Sequence, residues 1–249
     1  LILLSAGLSS SQWPEADMKI ALQDWSPDAE ALAEELAIYR GGWLGQIPHR
    51  FSTALEFQTA IFLFFTFWRV TGLMLLGMAL FRWGWLTAQR TPAAYRKLAI
   101  VGCGLAIPVI AWGVVLNERG GWEYVQTFFI NGQFNYWGSV LMALGYIGLV
   151  MLWCLGDALP ALRARFAAVG RTAFSCYIAQ SLICTLLFYG HGFGLYGRFG
   201  YAEQALVVFA IWVLLLFVAP AWLKRYRFGP MEWLWRSLTY WQRQPMRRA

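Results

Sequence analysis

Arg69 stands in the middle of an apolar run, 57–81, where no polar segment accounts for a cation. A guanidinium at the centre of a bilayer costs at least ~2.5–3.5 kcal/mol, so it must face partners or a wet cavity. Two roles answer that requirement. It either pins neighbouring helices through hydrogen bonds or anchors the anionic group of a substrate or cofactor. A second set lies between positions 172 and 189. Tyr177, Gln180, Ser181 and Cys184 recur at helical spacing, with Ser175, Cys176 and Thr185 beside them. Counted from the ends of their runs, Arg69 and this face reach similar depth, which makes Arg69, Tyr177, Gln180 and Ser181 the substrate-binding candidates. The same polar face serves equally well as interhelical glue. Of the only two histidines, His191 follows Tyr189-Gly190 at the outer mouth of the run 172–189, and His49 follows Pro48 near the outer surface. Imidazole titrates near neutrality and suits a general base or an acyl carrier, although a lone loop histidine is often merely solvated. No metal-ligand spacing, phosphate-binding loop, GxSxG or dinucleotide fingerprint occurs in the sequence.

These residues need elements to hold them, and the composition says which kind. Hydrophobic residues make up 59% of the 249 and charged residues 13%, about half the share usual in soluble domains. Five runs are long enough to cross a bilayer: 57–81, 98–116, 136–155, 172–189 and 205–223. Charge sorts into alternate gaps between them. The gaps 82–97 and 157–171 and the tail from Lys224 hold fourteen Lys/Arg against Asp157 and Glu232. The gaps 10–56, 117–135 and 190–203 hold eleven acids against five bases. That alternation is the positive-inside pattern. It puts the basic gaps and the C-terminus in the cytoplasm and the acidic gaps outside. The net charge of +7 is then a topology signal and a set of lipid contacts rather than a nucleic-acid surface. Cys103, Cys154, Cys176 and Cys184 all fall inside apolar runs, which predicts buried, unpaired thiols.

The expected fold is all-α: a polytopic helical membrane protein with five full transmembrane helices and the end of a sixth, plus outer and cytoplasmic interfacial helices. Residues 1–9 read as the end of a truncated span, since the chain opens at Leu1 without Met. Residues 10–56 form an extracytoplasmic segment, 57–223 the bundle and 224–249 a basic cytoplasmic tail. In the outer segment, Ser26-Pro27-Asp28 predicts a helix start and Gly41-Gly42 its stop. Trp13, Trp25 and Trp43 suit the membrane interface, either as a lid over an outward cavity or as a connector. Pro108 predicts a kink in its span, and 129–135 (FINGQFN) a re-entrant or cavity-lining element or an interfacial turn. After Gly229-Pro230, Met231, Leu234, Trp235, Leu238 and Trp241 share one helical face, with Glu232 and Arg236 spaced as an i,i+4 pair. Lys224, Arg225, Arg227, Trp235 and Arg243 are the lipid-binding candidates, with Arg247 and Arg248 nearby, on a helix that lies on anionic lipid or docks against cytoplasmic loops.

The stretches 68–84 (WRVTGLMLLGMALFRWG), 170–187 (GRTAFSCYIAQSLICTLL) and 227–236 (RFGPMEWLWR) carry a resemblance. From about residue 43 to 240 the chain resembles the YeiB-like family of bacterial membrane proteins, domain of unknown function 418. The resemblance implies an inner-membrane location and a longer parent with helices before Leu1. It also implies a distant similarity to transmembrane acyltransferases of the heparan-α-glucosaminide N-acetyltransferase type, and with it acyl-CoA as a possible group donor. In those relatives the acyl-accepting histidine belongs to an N-terminal part, so that role does not pass to His49 or His191.

Three functions follow: an acyltransferase-like protein with an intramembrane polar cavity, a carrier for a small anionic or amphipathic metabolite, or a structural or accessory membrane protein. The partners expected are membrane lipids and the N-terminal half of the same protein. The threading itself is testable with single cysteines in a cysteine-free background. Cysteines near Arg90, Arg165 and Arg243 should resist an impermeant thiol reagent in intact cells, and those near Glu30, Glu123 and Glu203 should react. Outside labelling near Arg90 or Arg165 would reverse the assignment.

Overall fold

The computed structural model describes residues 2–247, with Leu1, Arg248 and Ala249 outside the description. Every regular element among the described residues is helical, apart from an isolated bridge between Tyr226 and Arg247. The chain is a multi-pass membrane protein by its helices. Trp43–Arg82, Pro92–Arg119, Gln126–Leu155 and Tyr201–Arg225 are each long and apolar enough to cross a bilayer. The pair Pro160–Arg171 and Ala173–Phe188, bent by 83°, makes a fifth where the two helices count as one span. Each of the five runs read as a span is thus helical.

The chain divides into two compact units, Leu1–Ala29 with Ser52–Ala158, and Glu30–Phe51 with Leu159–Ala249. In the first, α1 (Ile2–Leu8) is followed by a short 3-10 turn and by α2 (Glu15–Trp25). Further along, the π-helical stretch Phe57–Thr66 leads into α5 (Phe67–Arg82), then α6 (Pro92–Arg119), a second π stretch Gln126–Asn131 and α7 (Gly132–Leu155). In the second unit lie α3 (Ala29–Arg40), most of α4 (Trp43–Glu56), α8 (Pro160–Arg171), α9 (Ala173–Phe188), α10 (Tyr201–Arg225) and α11 (Pro230–Thr239).

The first unit is organised by a glycine seam. In hydrocarbon, helices gain little from burying one apolar surface against another, so small residues that let backbones meet decide the pairing. A Cβ on Gly102 of α6 would stand 2.5 Å from the Gly145 amide nitrogen of α7, and one on Gly148 would stand 2.7 Å from the Ala99 nitrogen. Gly113 and Gly138 make the same kind of approach, against Phe134 and Ile110. At the other end of α6, Thr91 caps the helix with Pro92 at its first position. The fully buried Tyr95 donates to the carbonyls of Gly84 and Trp85, each 3.1 Å away, which ties down the turn after α5.

In the second unit, Ile211, Leu215, Ala219 and Leu223 of α10 form a core with Ala168 of α8 and Cys176 of α9. The 83° elbow falls at Thr172, whose buried hydroxyl donates back to the Ala168 carbonyl at 3.1 Å.

Several expectations are corrected. The segment 10–56 contains three helices rather than one. Ser26 ends α2, and α3 starts at Ala29, two residues after Pro27. Helix α4 is not expected from the sequence because Pro48, its sixth residue, stands inside it and removes an internal hydrogen bond. The stretch 129–135 is neither re-entrant nor a turn. It runs as π then α helix, because Asn131 is buried and its amide donates to Asn117 Oδ1 at 2.8 Å. Of the four thiols only Cys176 is buried, while Cys154 is exposed.

The seam makes a local prediction. Gly102→Ala should destabilise the protein in detergent by about 1–3 kcal/mol, since its Cβ meets backbone that cannot yield. Gly104→Ala, with nothing within 4 Å, should be neutral or slightly stabilising. Equal melting temperatures for the two variants would remove the seam from the account.

Candidate functional site

Arg69 lies in the first unit, half-buried on α5. Its guanidinium carbon stands 3.8 Å from the Tyr136 ring centroid, and Nη2 donates to Ser139 Oγ at 2.8 Å. Ser139 in turn donates to the Tyr136 carbonyl at 3.2 Å. Cation–π contact and a hydroxyl acceptor from one helix turn are what a pin between α5 and α7 requires.

Tyr177, Gln180 and Ser181 belong to the second unit, on α9. Tyr177 is 65% exposed and Ser181 is exposed, on the side of α9 away from the core formed around Cys176. Ser181 satisfies its hydroxyl locally by donating to the Tyr177 carbonyl at 3.2 Å. Arg69 and the Tyr177 face therefore fall in different units.

The two histidines both border one aromatic cluster of the second unit. Helix α3 ends in Tyr39-Arg40, and its last carbonyls are capped from afar. The Gln46 side-chain amide donates to the Tyr39 and Gly41 carbonyls at 3.1 and 3.0 Å, and Gly190 N donates to Tyr39 O at 2.9 Å. Any Cβ at Gly190 would collide with the Arg40 carbonyl, so this contact demands glycine. The loop after α9 folds back over that helix's end. Phe193, Leu195 and Tyr196 donate their amides to the carbonyls of Leu186, Leu187 and Phe188, which the helix leaves unpaired. Arg40 Nε closes the arrangement on the Tyr196 carbonyl at 2.9 Å.

An aromatic cluster results. The Tyr39 ring lies 5.3 Å from Tyr189, 4.7 Å from Tyr196 and 5.5 Å from His49. His191 meets Trp43 edge-on at 5.0 Å and Tyr189 at 5.9 Å. Arg50, one helical turn beyond Gln46, holds its guanidinium 5.0 Å from the Trp43 ring and 5.3 Å from Tyr189. Its Nη1 is buried with no acceptor among the described residues. The fully buried Gln46 keeps an unpaired Oε1 in the same helix. Such groups are rare because each costs about 1–3 kcal/mol.

Tyr196 donates to Glu35 Oε1 at 2.9 Å. Burial, and then that bond to the carboxylate, push its phenol up to about 12, so it remains a donor throughout the physiological range. Burial also raises the Tyr39 phenol, with Tyr189 and Glu35 adding to the shift and Arg50 opposing it. Glu35, Tyr189 and Tyr196, with Leu36, Thr185 and Gln204, line a cavity of about 660 Å³. That volume is in the range of small-molecule sites.

Sequence reasoning singled out His49 and His191 but missed Arg50, Gln46, Glu35 and Tyr196. Arg50 was one outer base among several, and no spacing rule links residues 35–50 to 189–196.

The tail candidates Lys224, Arg225, Arg227, Trp235 and Arg243 are all exposed. Helix α11 forms from Pro230 as expected, and Leu234, Trp235 and Leu238 leave its apolar face uncovered. The expected Glu232–Arg236 pair does not form. Glu232 turns to α9 instead, accepting from Ser175 N at 3.1 Å and, closely, from Ser175 Oγ, which itself accepts from Met231 N at 3.0 Å. Two carboxylate bonds in a half-buried corner outweigh an exposed i,i+4 pair of a few tenths of a kcal/mol. A Cβ at Gly229 would strike both Glu232 and Ser175. Two of the stretches that carry the family resemblance, 170–187 and 227–236, thus meet at this corner.

Comparison with known proteins agrees with that resemblance. The chain is 30% identical over 239 residues to Uncharacterized protein YeiB of Escherichia coli K12, an alignment that takes in 96% of this chain and 59% of YeiB. Uncharacterized protein YxaH of Bacillus subtilis 168 is 46% identical over 81 residues, 32% of this chain and 20% of YxaH. An uncharacterized 39.9 kDa protein in the amylase 3' region of Bacillus acidopullulyticus is 33% identical over 109 residues, 44% of this chain and 31% of the relative. The chain thus spans less than two thirds of the length of these relatives. No solved structure matches it. The family described as "Protein of unknown function (DUF418)" matches residues 80–242, and the chain, a multi-pass helical membrane protein, belongs to that family.

Proposed function

We propose that the cluster of Arg50, His49 and His191 is an anion-binding, proton-handling site of an acyltransferase-like protein in the bacterial inner membrane. The charge alternation supports an outer position for this cluster and a cytoplasmic C-terminus. The observation that carries the proposal is the buried Arg50 Nη1, a charged donor without an acceptor among the described residues. An anionic oxygen of a ligand, admitted as the side chains that close the atom off move apart, would remove that penalty, while the two aromatic rings hold the guanidinium in place.

Acyl transfer asks a protein for a base that takes the proton of the attacking hydroxyl or amine, and for a cation that stabilises negative oxygen. His191 is exposed and seated against Trp43 and Tyr189, the two rings that also hold that guanidinium, and an imidazole is the side chain most often used for the first task. Arg50 suits the second. The ligand class is an anionic, partly apolar acyl acceptor, its apolar part suited to the aromatic cavity. Acyl-CoA as the donor rests on the family resemblance alone. In this reading Arg69 is the pin of α5 on α7, and the anchor role assigned to it from the sequence passes to Arg50.

The test uses full-length protein in lipid nanodiscs, with thermal stability and acyl-CoA turnover measured across a panel of anionic acceptors. An acceptor should raise the melting temperature of wild type. Arg50→Lys should weaken that effect about tenfold, because ammonium lacks the planar fork. His191→Ala should retain binding and lose about 10²–10⁴-fold in turnover. Binding without turnover in wild type would favour a carrier. No ligand effect on either protein would leave a structural role.

A further inference from the structure

A second polar pocket lies at the elbow, away from the histidines. Arg171, Phe174, Phe228, Glu232, Trp235 and Arg236 line a cavity of about 470 Å³ where the end of α8 and the start of α9 meet α11. Its charges are arranged in a particular way. Glu232, the natural i,i+4 mate of Arg236, is held by Ser175 through both the backbone amide and the hydroxyl. Among the described residues no carboxylate pairs with Arg171 or Arg236. The Arg236 guanidinium is instead held 4.7 Å from the Phe228 ring. With two guanidiniums and one carboxylate, the pocket carries a formal charge of +1.

We infer that this pocket binds the phosphodiester of an anionic glycerophospholipid. One phosphodiester charge balances the pocket. Two guanidiniums offer forked donors that match phosphate oxygens. The rim is built for the acyl part. Trp235 is 67% exposed and Phe174 42%, and with Leu234 and Leu238 they give the continuous apolar and aromatic surface that sits at a membrane interface. A free anion gains nothing from that rim and meets Glu232 beside the arginines, which favours the lipid over inorganic phosphate. Neither arginine was among the lipid-binding residues read from the sequence. The site differs from diffuse attraction by the tail, because it joins a residue of α8 to one of α11 and should saturate. It is independent of the function proposed for the Arg50 cluster.

Full-length protein in a neutral detergent, titrated with phosphatidylglycerol, phosphatidylcholine or inorganic phosphate, tests it through melting temperature and through lipids retained in native mass spectrometry. Phosphatidylglycerol should give a saturable rise and one retained lipid, and the other two should give neither. Arg171→Gln with Arg236→Gln should lower apparent affinity about tenfold or more. Arg96→Gln with Lys97→Gln, an exposed basic pair of the first unit, should leave it unchanged. If the first pair fails to fold, Arg236→Lys alone should keep the fold and still weaken binding. An undiminished shift in the Arg171 and Arg236 variants, an equal shift with inorganic phosphate, or no shift in wild type would each overturn the assignment.

Discussion

A bilayer offers no hydrogen bonds, so each polar group that enters it must find a partner within a few residues or on the next helix. This constraint explains most of the polar geometry of the chain. Ser181 and Thr59 return their hydroxyls to carbonyls one turn back, at Tyr177 and Leu55. Asn131 finds Asn117 across the α6–α7 pair. Arg69, the costliest group, is met by a ring and a hydroxyl of α7. None of these contacts needs a ligand to make sense. Against that background, the buried and unpaired Arg50 nitrogen stands out, and with it the unpaired oxygen of Gln46.

The same constraint gives the two units different glue. In the first, glycines let α6 and α7 meet backbone to backbone, since apolar burial gains little there. In the second, pairing depends on irregular segments whose carbonyls and amides are capped by distant residues: Gln46, Gly190 and Arg40 around the end of α3, and Glu232 on Ser175 at the elbow. Ligand-sized cavities flank both of those irregular junctions. That is where backbone leaves the helix and side chains converge from several elements.

Hydropathy made the spans legible, because about twenty apolar residues in a row have few other uses. Helix α11 was equally legible from Gly229-Pro230 and its apolar stripe. Helices α2 and α4 were not. Their apolar faces are weak or interrupted by Pro48, and their register depends on packing. The candidate site was half legible. Histidine is rare here and stands out on chemistry alone. Arg50 was read only as one of the few bases in an acidic gap, and its meaning comes from Trp43 and from Tyr189, the latter 139 positions along. The Glu232–Arg236 reading failed for a related reason: local spacing predicted a weak pair, and a tertiary partner, Ser175, offered a stronger one.

The central claim is that Arg50 awaits an anionic ligand. The most direct measurement is a cryo-electron microscopy map of full-length protein purified with native lipid and solutes, read at Arg50. The account predicts non-protein density with an acidic oxygen within hydrogen-bond distance of Nη1, about 2.7–2.9 Å, bordered by Trp43 and Tyr189. A carboxylate from elsewhere in the polypeptide, paired with that nitrogen and filling the space, would contradict it and make Arg50 a structural pin like Arg69.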